Sequence, residues 1–440
     1  MVQLYTGTRS KMIGILGAGL AGLSTAYHLK QKDYIIFEKD AEPGGLCKSF
    51  TKKNYIFDIA PHIFFTKDEY VKSLVEKILK NNFATKIRKA FIYIYGKYVE
   101  YPFEANLSEL PKKIIEECIL TAIDAKENPK EYHNFYEWIE NILGKGVAKH
   151  YMVPYNEKIW KYDLRKMDPK FVAGRVPSPN IKEMIKGALG TQDNAFGPNA
   201  SFSYPITGGI GAIPNAFLPY IKNLKYNTEV INIKPKQNAV NVIVNEDNKQ
   251  KTYEFDKVFS SIPLPELLKI LENVPGEVQK ACSNLVYNSL LFAAIGVDRK
   301  NISDKHWLYF PEKDYIFHRL SFPMNLSEKT TPPNKSSIVV EVTYPKHESI
   351  DVEKTKELIR SGLIKANILN EKDHLEVFHT GTIKYAYVIY DLDHQKNVTK
   401  IHEYLISNNI IPVGRFAQWE YINMDKTISM AKIQAEKFAK

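Results

Sequence analysis

The sequence predicts an α/β fold in which a parallel-sheet domain with flanking helices is interrupted by a mainly helical insert and an antiparallel-sheet insert. Three observations predict it. A glycine-rich turn, Gly17 to Gly22, lies between a short apolar strand and a helix. Helical spacing dominates the stretch from about residue 70 to 204, at Glu69 to Leu79, Leu110 to Ala125 and Asn134 to Leu143. Apolar and polar residues then alternate at Ser337 to Tyr344 and Thr382 to Tyr390, around one amphipathic helix at Asp351 to Leu369.

The chain has 440 residues with 60 basic and 50 acidic side chains, a net charge of +10, and 44% hydrophobic and 25% charged residues. That is the composition of a soluble globular protein with a large core, which excludes a disulfide scaffold and a disordered tail protein. Cys47, Cys118 and Cys282 are odd in number and widely spaced, so neither a disulfide framework nor a CxxC metal site is expected, and a reducing, cytoplasmic compartment is. No apolar run reaches the ~18 residues of an integral membrane segment. The lysines are dispersed without a block or an Arg-rich arm, so no nucleic-acid partner is expected.

Residues 1–11 read as a polar extension without a motif, and Met12 offers an alternative start. Arg9 and Lys11 before an apolar run mimic a signal peptide, but the glycines at 17, 19 and 22 have a better explanation. Met12 to Leu16 reads as a buried strand, Leu23 to Lys30 as a helix and Tyr34 to Glu38 as a second strand. This is GxGxxG in the context that binds a dinucleotide. Gly17 permits the tight turn, Gly19 lets backbone approach a pyrophosphate, and Gly22 allows close helix packing. The helix N-terminus offers free N–H groups to phosphate, and Glu38 offers oxygens to a ribose.

A second glycine pair follows in Glu42-Pro43-Gly44-Gly45-Leu46. Phe255 to Pro263 reads as a late strand, and Gly414 to Asp425 as a Gly-Arg segment running into a last helix. Together these segments resemble the flavoproteins of the amine oxidase, phytoene desaturase and UDP-galactopyranose mutase group, and that resemblance implies nucleotide-binding pieces at 12–70, 205–265 and 405–440 enclosing inserts at 71–204 and 266–404. The inserts carry more polar and aromatic residues than a core needs. His62 lies among apolar neighbours, a pattern shared with core histidines; Tyr98 to Glu104 reads as a strand ending in an aromatic platform, or as core aromatics at a sheet edge. Pro154 to Trp160, Gly174 to Asn180, Phe196 to Pro205 and Gly208 to Gly211 are Gly/Pro-punctuated and read as ordered loops. Arg319 ends an apolar strand.

The motifs GAGLAGL, EPGGL, APHIFF, YPF, PYNEKIW, GRVPSPN, FGPNASFSYP, GGIGAIP and GRFAQWEYINMD, in that order, resemble the UDP-galactopyranose mutase family, the eukaryotic type more than the bacterial. That family lies within the amine oxidase and protoporphyrinogen oxidase-like flavoproteins. The resemblance implies a Rossmann-type FAD-binding domain held by Gly17, Gly19, Gly22, Glu38, Gly44, Gly45, Leu46, Gly414, Arg415, Asn423, Met424 and Asp425. It implies a nucleotide-diphosphate sugar as substrate. His62 would stand beside the flavin, with Arg175 and Arg319 clamping the diphosphate and Asn199 on a loop above it. Phe65, Tyr101 and Phe103 would surround the base, Tyr155, Asn156 and Trp160 would line the sugar pocket, and Tyr387 and Tyr421 would donate to phosphate oxygens. Two arginines from distant segments suit this on chemical grounds, because guanidinium forks match phosphate oxygens. The chain departs from the pattern at Glu104, where the family usually has a glutamine on the base. A carboxylate cannot donate to a carbonyl oxygen, which leaves the base open. Met424 and Lys426 also differ from the family's polar residues, a milder change because backbone N–H groups can serve there.

No Ser-His-Asp set, HExxH or paired-carboxylate motif stands out, which suits a reaction whose hard step falls to a cofactor. The resemblance implies an isomerase of cell-surface glycan biosynthesis, interconverting pyranose and furanose nucleotide sugars through a bond between the sugar and N5 of reduced FAD. NAD(P)H is the expected reductant, and a homo-oligomer is compatible with the sequence. The rival expectation is an FAD-dependent oxidoreductase of the protoporphyrinogen oxidase or amine oxidase type, which shares all the flavin motifs. A flavin-stabilised binding protein is the third.

Overall fold

Ile13–Leu16, a four-residue run ended by Gly17, is the centre strand of a five-stranded parallel sheet in the computed structural model, which describes residues 12–30, 32–172, 176, 180–191 and 200–438. Lys257–Ser260 and then Ile410–Pro412 lie on one side of it, Tyr34–Phe37 and then Leu224–Lys225 on the other. Segments hundreds of residues apart thus share one sheet, with Ile15 opposite both Phe259 and Ile36. Strand side chains alternate between faces, and each face here has its own core. Ile13, Ile15, Ile36 and Phe259 pack with the helix Leu20–Leu29, which lies against the C-terminal helix Met424–Phe438. Leu16, Phe37 and Val258 pack instead with an antiparallel sheet of Thr228–Lys236, Ala239–Glu246 and Lys249–Phe255, and with the helices Leu264–Lys269, Gly276–Ser283 and His394–Ser407.

The second sheet has seven strands in the order Leu375–Ile389, Val286–Val297, Ser336–Pro345, Arg319–Ser321, Trp307–Tyr309, Ala90–Ile94 and Lys97–Glu100. Its last two strands come from the insert read above as mainly helical. Ala90–Ile94 is too short for its period to separate a strand from a buried helix segment, so the pattern alone misses it. Tyr95 and Gly96, at φ of 53° and 71°, turn it into a hairpin, and Trp307–Tyr309 pairs in parallel with its other edge. The two inserts therefore share a sheet.

The helical part of the first insert packs Lys112–Glu127, Phe135–Leu143 and Val153–Trp160 around Phe103, Phe135, Trp160 and Phe171. Its helices start where capping chemistry predicts: the Asn134 side chain accepts from the Glu137 N–H, and Asn180 with Glu183 forms a capping box. The helix Ile181–Ala188 lies directly on Phe103–Ala105, for a Cβ on Gly187 would stand 2.0 Å from the Ala105 carbonyl oxygen. Among the described residues, no helix is long and apolar enough to cross a membrane.

Candidate active site

The cradle at the C-terminal end of Ile13–Leu16 is built from backbone. Gly17, at φ of 94°, has the Ser261 hydroxyl 2.4 Å from where a Cβ would be, and that hydroxyl donates to the Leu16 carbonyl at 2.9 Å. A Cβ on Gly22 would lie 1.9 Å from the Gly17 carbonyl oxygen, so only glycine fits. The loop of Gly44 and Gly45 lies against Gly19: the Gly44 N–H donates to the Ala18 carbonyl at 2.8 Å, and a Cβ on Gly45 would stand 3.3 Å from the Gly19 Cα. Leu46 sits in the short turn of helix that follows. Glu38 is buried, and its two oxygens accept from the Ala18 N–H at 2.7 Å and the Asp40 N–H at 3.0 Å. The helix Leu20–Leu29 starts at Gly19 without a side-chain cap or a first-turn acid, so its leading N–H groups are left for an anion. Gly414, at φ of 86°, backs onto Ala21, where a Cβ would come within 2.5 Å of the alanine's own. Asn423 is exposed just ahead of the last helix, Met424 is buried, and Asp425 sits in its first turn with its pKa raised by burial. The uncapped helix start, with glycines that put no side chain over it, fits the diphosphate of a dinucleotide, and the buried carboxylate of Glu38 fits its ribose.

Beyond the cradle lies a second, side-chain centre. One row across the large sheet sets Tyr309, Arg319 and Glu341 opposite one another on adjacent strands. Glu341 is fully buried and takes both the Nε and one terminal nitrogen of Arg319, the latter at 2.9 Å. That terminal nitrogen is also 3.5 Å from the Tyr387 hydroxyl. Burial opposes the charge on Arg319, yet Glu341 and Tyr387 more than offset it, so the guanidinium stays protonated. Arg415 approaches from the other side. Its guanidinium carbon is 4.3 Å above the Tyr421 ring and 5.7 Å above that of Tyr387, and it donates to the Ala386 carbonyl at 3.3 Å. Trp160 meets both tyrosines edge to face at 5.8 and 5.7 Å.

His62 is half-buried near both arginines. Its Nδ1–H donates to the Ala60 carbonyl at 3.0 Å, and burial, with the charges of Arg415 and Arg319, pushes its pKa down to about 4. The neutral ring therefore presents Nε2 as an acceptor. Tyr155 stacks on Tyr151 at 5.5 Å and meets Tyr309 at 5.4 Å, and Tyr309 in turn meets Tyr101 at 5.4 Å. Phe65 is half-buried three residues past His62.

The structure thus brings together His62, Tyr155, Trp160, Arg319, Tyr387, Arg415 and Tyr421. It changes the reading of four residues. Arg415 was expected on the FAD, but its guanidinium stands over the rings of Tyr421 and Tyr387, the two tyrosines expected on the substrate phosphates. Asn156 was expected on the sugar, but its amide is used inside its own helix, donating to the Met152 carbonyl at 2.7 Å and accepting from the Trp160 indole at 2.9 Å. It orients Trp160. Phe103 was expected on the base, but it is fully buried and stacked on Tyr151 at 5.0 Å, with Tyr151 standing between it and Tyr155. Glu104 was read as a carboxylate. Burial pushes its pKa up to about 7, and Oε1 has no hydrogen-bond partner among the described residues, so the neutral, donating acid is accessible. Arg175 and Asn199 lie outside the described residues.

Sequence reasoning missed three contributors. Glu341 stood alone as an acid in the apolar run SIVVEV, which signals a buried partner. Asn288 donates to the Ile159 and Trp160 carbonyls at 2.7 and 3.0 Å and accepts from the Tyr387 N–H at 3.2 Å, tying Trp160 to Tyr387; no sequence signal marks it. Lys158, inside PYNEKIW, straps its helix to the Phe310 and Glu312 carbonyls at 2.9 and 2.7 Å, and burial lowers its pKa to about 7.

The profile of the flavin containing amine oxidoreductase family matches residues 20–387. UDP-galactopyranose mutase from Mycoplasma pneumoniae is 21% identical over 96% of this chain and 94% of its own length. Coproporphyrinogen III oxidase from Staphylococcus aureus is 23% identical over 56% of this chain, which spans only 59% of that enzyme. The crystal structure of a reduced UDP-galactopyranose mutase superposes with a TM-score of 0.91 at 25% identity, covering 97% of this chain and 93% of the other. The chain therefore belongs to the flavin-containing amine oxidoreductases, and among them it has the fold of the UDP-galactopyranose mutases.

Proposed function

We propose that the protein is a flavin-dependent nucleotide-sugar mutase that interconverts the pyranose and furanose forms of a UDP-galactose-like substrate. The observation that carries this reading is the pair Arg319 and Arg415 converging on Tyr387, one by a hydrogen bond and one over its ring face. Such a cluster receives a diphosphate. The cradle residues Gly17 to Gly22, Glu38 and Gly44 to Leu46 would hold FAD, with the helix beginning at Met424 supporting it. FAD bound there in its reduced form would supply nucleophilic chemistry towards the sugar.

The protein's own residues do the rest. Arg319, Arg415, Tyr387 and Tyr421 hold the diphosphate and stabilise the charge it gains as it leaves. Trp160 and Tyr155 wall the sugar from water, and neutral His62 orients the flavin edge through Nε2. Tyr101 and Tyr309 give the base an aromatic face, with Glu104 nearby as its hydrogen-bonding group. NAD(P)H serves as the reductant that activates the enzyme.

A second reading, an oxidase, draws on the likeness to coproporphyrinogen III oxidase, whose anionic substrate class could also use arginines. Anaerobic incubation of the dithionite-reduced protein with UDP-galactofuranose separates the two. UDP-galactopyranose should accumulate; no conversion, with turnover of a porphyrinogen or amine in air, would overturn the mutase reading.

A further inference from the structure

We propose that Glu341 is a positioning and charge-balancing residue of the anion site: it sets the direction of Arg319 and offsets its charge, so that the nucleoside diphosphate is gripped reversibly. The inference rests on the reading of the site as one for a nucleotide sugar.

Glu341 is the lone acid of the strand Ser336–Pro345, fully buried, with Arg319 as its register partner on the next strand. Both of its oxygens are bonded to that one guanidinium. A buried carboxylate persists only when paired, and the pair here stands inside the site: the charge of Glu341 acts on both Tyr155 and Tyr387. Two consequences follow from geometry. The bonds through Nε and one terminal nitrogen fix the guanidinium plane, leaving the other terminal nitrogen outside these bonds and available to a ligand. The pair is also close to neutral as a unit, whereas Arg415 meets aromatic faces and a carbonyl and has no ion pair among the described residues. A leaving group that must return to the same sugar has to be held without being trapped. In a water-poor site each uncompensated cation tightens that hold steeply.

The test is binding of UDP to the flavin-loaded protein, by calorimetry, for the wild type, Glu341→Gln, Arg319→Gln and the double variant. Wild type that binds no UDP would overturn the nucleotide-sugar reading itself, before any variant is compared. Given wild-type binding, Glu341→Gln should bind UDP about tenfold more tightly, with KM and kcat for the sugar nucleotide falling together. A purely structural role would raise KM instead. Arg319→Gln leaves Glu341 without its cation, so phosphates bound beside it cost either repulsion or the uptake of a proton, and the double variant should bind UDP about tenfold more tightly than that single variant. The proposal is overturned if Glu341→Gln, with its flavin content retained, binds UDP no more tightly than wild type. It is equally overturned if the double variant binds no better than Arg319→Gln. Should Glu341→Gln not fold, the double variant, which has no unpaired charge in the pair, still provides the second comparison.

Discussion

Around Gly19, Gly22 and Gly45 the nearest contacts that shape the cradle are made by main chain, whereas around Arg319 and Arg415 they are made by side chains from distant strands and loops. The difference determines how each region tolerates change. A backbone cradle has no rotamers to adjust, so a single added methyl is fatal where a carbonyl already stands. A side-chain centre can lose one member and keep its fold, because Glu341, Asn288 and Asn156 hold the remaining ones.

Gly22→Ala should have the largest effect. Its methyl would overlap the Gly17 carbonyl, and purified protein should lose its flavin absorbance, with destabilisation of about 3 kcal/mol or more in denaturant titration. Gly276→Ala is the matched control, since nothing lies within 4 Å of its Cβ position, and flavin content should be unchanged. Equal flavin retention in both would break the contrast.

Arg415→Ala comes next. The fold and flavin should survive, while kcat under reducing conditions should fall about 10²–10³-fold, as when a positioned charge donor is removed from a reacting site. Asn156→Ala should be milder. It leaves the buried Trp160 indole N–H unpaired, costing about 1–3 kcal/mol of stability and loosening Trp160, read as a several-fold rise in KM.

The smallest effect is a pH dependence at Glu104. Its carboxyl is neutral below about 7 and can then donate to a base carbonyl, so UDP affinity should weaken as pH rises through about 7, and Glu104→Gln should remove that limb. Stability gives a second readout. The folded pKa of about 7 lies above the ordinary 4.5, so the unfolded chain releases the proton first. Wild-type stability should therefore fall between those two pH values, and the glutamine variant should lack that slope. UDP binding that is flat across this range would show that Glu104 does not face the base.

The cradle was legible in the sequence because its geometry demands glycine at fixed spacing: Gly19, Gly22 and Gly45 stand where main chain meets main chain, and Gly17 and Gly44 take φ of 94° and 110°. The helices were legible from their caps and period, as at Asn134 and Asp351. The strand Ala90–Ile94 was not, since its partner Trp307–Tyr309 lies some two hundred residues on. Much the same holds for the side-chain centre. Sequence motifs pointed to Arg319 and Trp160, but the partners that orient them, Glu341 and Asn288, are set by strand register, which a motif does not encode. The Asn156 role was within reach: residues four apart share a helix face, and Met152, Asn156 and Trp160 are spaced that way. The neutral state of Glu104 was not, because ionisation depends on burial that only the packed helix Ile181–Ala188 and its neighbours supply.

The central claim is that the arginine-lined centre serves an isomerisation without net redox change. Its most direct test is the ratio of hydrogen peroxide formed to sugar nucleotide converted, measured in air with UDP-galactofuranose and the reduced protein. The account predicts many conversions for each peroxide. One peroxide per conversion, or peroxide without conversion, would contradict it.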